Sequence, residues 1–110
     1  MTYVGLDLGT SSLKAILIND AQQVLAEHVV ALSASRPQAG WSEQDPNQWF
    51  EATKVAMKAL AAKTDVSGVR GIGLSGHMHG ATLLDHADNV LRPCMLWNDT
   101  RSAVEAAALD

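Results

Sequence analysis

The sequence predicts a mixed α/β fold, a sheet built mainly from early strands and covered by helices. Three observations carry that prediction. "YVGLDL", residues 3–8, alternates with a period of two, putting Val4, Leu6 and Leu8 on one face and Tyr3, Gly5 and Asp7 on the other. Two further apolar runs follow it across short polar turns. An Asp-Pro pair then introduces a long stretch whose apolar residues recur at helical spacing.

Taken in order, "LKAILI" after "GTSS" is the second strand, and "VLAEHVVAL" after "NDAQQ" is the third. Consecutive strands joined by short turns make an antiparallel meander. The loop "SASRPQAGWSEQDP" ends in a helix start, with Asp45 as N-cap and Pro46 at the first helical position. In "NQWFEATKVAMKALAAK", Trp49, Thr53, Ala56, Met57 and Leu60 fall on one stripe, which is expected to pack on the sheet. Trp41 is expected to pack the preceding loop over this helix. "VRGIGLSG" reads as a fourth strand whose alternate glycines imply a close approach to the backbone. "ATLLD", "HADN" and "VLRP" read as a hairpin, "CMLWND" as a further strand, and "TRSAVEAAALD" as a helix starting at Asp99 or Thr100. Such a sheet has too few layers to cover both faces. The expectation is a partial N-terminal domain over residues 1–110, belonging to something larger, with self-association as the other way to cover the open face.

Composition narrows the function classes. A chain of 110 residues, 47% of them apolar, supports one domain with a core. A net charge of −4 without a charge run argues against nucleic acid as a partner. The single cysteine, Cys94, forms no internal disulfide, which suits a reducing cytoplasm. "MTYVGLDLGT" lacks the basic flank of a signal peptide, and no apolar run is long enough to span a membrane.

The chemistry concentrates in "DLGTSSLK". An aspartate inside an apolar strand is costly unless something pairs with it. The backbone N–H groups and hydroxyls of Thr10, Ser11 and Ser12 can converge on a small space suited to an anion. Asp7 beside them becomes reasonable if Mg²⁺ sits between carboxylate and phosphate, and Lys14 can add positive charge. The same residues also make an ordinary polar turn, with an aspartate facing water. Neither a dinucleotide fingerprint nor a Walker loop is present. In "GHMHG", His77 and His79 make a weak metal pair without a third ligand. "WNDTR" mixes an aromatic, an amide, a carboxylate and a guanidinium, as polyol recognition uses, although Trp97 can be core and Asp99 a helix cap with Arg101 on the surface.

"YVGLDLGTSSLKAILIN" closely resembles the first phosphate hairpin of the sugar-kinase, Hsp70 and actin superfamily. With "GWSEQDPNQWF", "GHMHG" and "WNDTR" the resemblance is to the FGGY carbohydrate kinases, over nearly the whole chain. It implies two ribonuclease-H-like domains with ATP and sugar between them, of which this chain is the N-terminal portion of the first. It also implies that Asp7 helps hold Mg²⁺ and phosphate, and that Thr10, Ser11, Ser12 and Lys14 serve the ATP phosphates. Met78 and His79 would meet a ketose, D-xylulose first among the candidates, with Gly76 and Gly80 letting the backbone approach it. Trp97, Asp99 and Arg101 would complete the sugar site. The family's general-base aspartate lies in a "GGGDN"-like segment that nothing here matches. The remainder of a kinase chain is therefore an expected partner, and these residues alone are expected to be inactive. Another ketose or a polyol is the rival substrate. A non-catalytic, self-associating binding module is the rival class, and an actin-like or Hsp70-like ATPase would leave "GHMHG" and "WNDTR" unexplained.

Overall fold

A computed structural model describes residues 1–110 and contains one principal sheet. Strand β1 (Thr2–Leu8) pairs antiparallel with β2 (Ser12–Asn19), and β2 pairs antiparallel with β3 (Val24–Ala31). This is the expected meander. A short ladder, β4 (Glu43–Gln44), precedes helix α1 (Pro46–Lys63). Strand β5 (Val69–Gly76) then returns parallel to β1, giving the order β3-β2-β1-β5. The helix therefore serves as the crossover that a parallel pair requires.

The alternation in β1 decides which face is covered. Val4 and Leu6, with Leu13, Ala15 and Leu17 of β2, are buried against Ala52, Ala56 and Leu60 of α1. The helix starts where expected: the Asp45 carboxylate accepts from the N–H of Asn47 at 2.9 Å, and Pro46 occupies the first turn. Its buried ridge is Ala52–Ala56–Leu60, while Trp49, Thr53 and Met57 are half-buried at its edge. Small side chains at 52 and 56 let the helix lie close to the sheet. Because α1 packs over β2 and β3, Ile72 and Leu74 of β5 stay uncovered, and Leu74 is 80% exposed.

After β5 the segment is more irregular than its pattern suggests. The expected hairpin around "HADN" reduces to one isolated bridge, Leu84–Val90. Its turn is nevertheless real, since the Asp85 carboxylate accepts from the N–H groups of Ala87 and Asn89. These bonds, with that of the Asn89 side chain, hold the Asp85 carboxyl below its usual range. The expected strand "CMLWND" shrinks to β6 (Cys94–Met95), which pairs with β4. It breaks off because residues 96–99 form a turn, closed by Asp99 N–H donating to the Leu96 carbonyl at 3.0 Å. Helix α2 (Ala103–Leu109) begins later than expected and buries no residue. Asp99 does not cap it, because its carboxylate is taken by other groups.

Candidate functional site

Parallel pairing of β1 and β5 brings their carboxyl ends together, where α/β sheets place ligands. From β1 the chain enters the turn Gly9–Ser11, closed by Gly9 N–H donating to the Ser12 carbonyl at 2.9 Å. From β5 it enters "HMH", anchored by His77 N–H donating to the Leu8 carbonyl at 3.0 Å. A cavity of about 310 Å³ lies between them, with Asp7, Gly9, Thr10, Met78, His79 and Trp97 in its wall.

Several features mark this cavity as more than a surface dent. Met78 is 72% exposed and Trp97 64%, large apolar groups that a merely structural loop would bury. His79 adopts φ 66°, a left-handed backbone that an L-residue with a bulky side chain rarely takes. The Trp97 indole donates to the Thr10 hydroxyl at 3.4 Å, linking the "WNDTR" segment to the hairpin. Gly76 is demanded by the neighbouring strand: a Cβ there would lie 2.7 Å from the Leu8 carbonyl oxygen. A Cβ at Gly80 would meet the Cys94 sulfur at 3.1 Å. Close packing of protein on protein therefore explains both glycines, where approach to a ligand was expected. The alternate glycines of β5 have no such crowding, and Gly73 faces open space.

The expected site residues do not all gather here. Ser11 sits exposed at the turn and Ser12 begins β2, both outside this cavity's lining. Lys14 stands opposite Asp7 in the ladder, and its ammonium pairs with Glu27 at 3.7 Å on the open face of the sheet. That face carries a larger groove of about 510 Å³, walled partly by Gly5, Lys14, Glu27 and Gly73. It is a broad sheet surface without the hairpin's donors. His77 lines the cavity too, but its ring packs on that of Trp49, centroids 5.4 Å apart. No group of three or more His, Cys, Asp or Glu side chains assembles as a metal cage. Asp7, exposed and the only carboxylate of the cavity wall, nevertheless fits Mg²⁺, which takes one or two carboxylates and fills its sphere with water and phosphate oxygens.

Asp99 and Arg101 serve a different contact. The Arg101 guanidinium donates to the Asp99 carboxylate at 2.6 Å and lies 2.8 Å from that of Glu43. It also covers the Trp41 ring at 3.6 Å. The Ser42 N–H donates to Asp99 at 2.8 Å. Trp41 thus packs beneath Arg101. The hydrogen bonds from Arg101 hold the Asp99 carboxyl far below the usual carboxylate range, and the same pairing raises the arginine. With Arg101 only 13% exposed, the cluster clamps loop 40–44 to the turn that carries Trp97. Asp99 also lines a neighbouring cavity of about 320 Å³ beside His79 and Trp97. Sequence reasoning passed over Glu43 and Gln44, which looked like loop residues. Their one signal was "SEQ" beside a strong N-cap in a segment with two tryptophans.

This hairpin, this strained histidine turn and this sheet define a sugar-kinase type of domain. Residues 2–110 match the N-terminal domain of the FGGY family of carbohydrate kinases, and the chain belongs to that family. It is 55% identical over 108 residues to a xylulose kinase of Klebsiella pneumoniae, an alignment covering 98% of this chain and 22% of that protein. A crystal structure of a xyloylose kinase from Brucella ovis superposes with a TM-score of 0.97 at 58% identity, over 100% of this chain and 24% of that one. A xylulose kinase structure from Rhodospirillum rubrum gives 0.91 at 33% identity, over 99% and 23%. The chain thus spans less than a quarter of the length of these relatives, and the ribonuclease-H-like fold class is the observed one.

Proposed function

We propose that the intact protein is an ATP-dependent ketose kinase that converts D-xylulose and ATP to D-xylulose 5-phosphate and ADP. The observation that carries this reading is the convergence of the Asp7–Thr10 hairpin, His79 and Trp97 on one cavity, in a chain 55% identical to a xylulose kinase. Phosphoryl transfer needs little covalent help from protein and much positioning and charge neutralisation. Asp7 would hold Mg²⁺ through water, and the bound ion would neutralise charge on the phosphate oxygens. The N–H groups and hydroxyls of Thr10, Ser11 and Ser12 would receive the γ-phosphoryl group, with Lys14 contributing at longer range. Met78, His79 and Trp97 would bind the ketose, the imidazole offering a donor and an acceptor to its hydroxyls. Asp99 and Arg101 would act on the sugar by fixing Trp97. The general base would come from the remainder of the kinase chain, so residues 1–110 form a partial domain. The buried thiol of Cys94 suits a cytoplasmic setting. No helix is long and apolar enough to cross a membrane.

The test is ADP release by the intact protein with Mg-ATP and D-xylulose, D-ribulose, D-fructose or glycerol, each supplied separately. Turnover selective for D-xylulose is expected. Equal rates with every sugar, or ATP hydrolysis indifferent to sugar, would overturn the reading. Residues 1–110 alone are expected to give no turnover. A self-associating module is the second reading, favoured by the exposed Leu74 and Ile72 of β5. Sedimentation of the intact protein over a concentration series separates it from docking of the kinase's own remainder.

A further inference from the structure

Gln44 is 1% exposed, a polar side chain almost wholly removed from water. Its Nε2 donates to the Thr10 carbonyl at 2.9 Å and the Ser33 carbonyl at 3.2 Å, and its Oε1 accepts from the Trp49 indole N–H at 2.7 Å. The amide's orientation follows from chemistry: an indole N–H only donates, so it must face the oxygen, leaving the NH₂ for the two carbonyls. The ladder between β4 and β6 asks only for backbone groups at this position, so the amide serves something else.

Its reach ends on the hairpin. A peptide unit is planar, with its C=O and N–H pointing in opposite directions. Holding the Thr10 carbonyl toward Gln44 therefore aims the N–H of Ser11, on the same peptide plane, away from it. Neither Thr10 N–H nor Ser11 N–H has a backbone acceptor within the chain. We propose that Gln44, itself oriented by Trp49, is a positioning residue for the phosphate hairpin: it sets the Thr10–Ser11 peptide so that its N–H is presented to the phosphoryl group. The inference rests on reading this hairpin as a phosphate site.

The experiment uses the intact protein with Gln44→Met, which keeps the volume and removes the donors, and Trp49→Phe, which keeps a ring on His77 but frees the amide. Gln44→Met is expected to raise KM for ATP about tenfold while changing KM for D-xylulose less than about twofold. Trp49→Phe should move the same way by a smaller factor, and it carries the test if the first variant does not fold. Amide hydrogen exchange should accelerate at Gly9, whose N–H closes the hairpin turn on the Ser12 carbonyl, and stay unchanged in β1 and α1. A uniform loss of protection, or an equal rise in both KM values, would mean a merely structural role and overturn the proposal. So would unchanged exchange at the hairpin. If the wild-type protein phosphorylates no sugar, the kinase reading falls, and the exchange measurement still decides whether Gln44 sets the hairpin.

Discussion

At the scale of single residues, the site combines one unpartnered carboxylate with one strained backbone. Asp7 is exposed at the end of a strand, so removing its charge costs the fold little. Asp7→Asn is expected to leave the melting temperature within about 2 °C and to lower kcat about 100-fold or more, through loss of metal and phosphate positioning. Thermal unfolding and steady-state kinetics on the same preparation check both halves. A large drop in melting temperature would mean that the aspartate is structural after all. His79 shows the converse: its φ of 66° is unfavourable locally and persists because β5 and the Gly80–Cys94 contact hold both sides of the turn. The motif "GHMHG" stood out in the sequence, and its Met78 and His79 line the cavity. The strain was not, because nothing local in His-Met-His asks for a left-handed residue.

At the scale of elements, α1 is the best-specified part of the chain. Its cap, its first-turn proline and its periodicity all point to the same boundaries, and the structure has them at Pro46–Lys63. What periodicity left open was the exact ridge that meets the sheet. Trp49 is drawn sideways to Gln44, and Ala52 takes the central place in the packing. Leu60→Ala is expected to cost about 2–5 kcal/mol, since Leu60 is fully buried in the one core cluster. Val55→Ala, on the exposed face of the same helix, is expected to change stability by less than about 0.5 kcal/mol. Paired denaturant melts check the contrast. Similar losses at both positions would show that another surface covers Val55. The later elements were harder to read, because β4 and β6 have two residues each and exist by pairing with one another and, for β4, with Ser35. So short a ladder leaves no period to detect.

At the scale of the whole molecule, three distant segments close on the end of the sheet. Loop 40–44 is tied to the hairpin by Gln44 and to the "WNDTR" turn by Ser42, Glu43 and Arg101. The ion cluster predicts an acid response. Asp99's carboxyl titrates lower in the folded chain than when unfolded, so unfolding takes up protons and the stabilisation is fully present above the unfolded pKa of about 4. It is lost as pH falls from there toward the depressed folded value. Asp99→Asn is therefore expected to be less stable than wild type at pH 6, with the gap narrowing by pH 3. Urea midpoints at the two pH values test this, and a gap independent of pH would show that the charge of Asp99 contributes nothing. By itself the sequence determined the meander, the helix with its cap, the fourth strand and the family, because alternation, capping and motif spacing are local or nearly local signals. Only the tertiary structure decided that β5 lies beside β1, that Asp99 and Arg101 clamp a loop more than 50 residues away, and that Gln44 reaches Thr10. Those contacts arise when a parallel crossover brings strand ends together, and no spacing along the chain encodes which side chains will then meet.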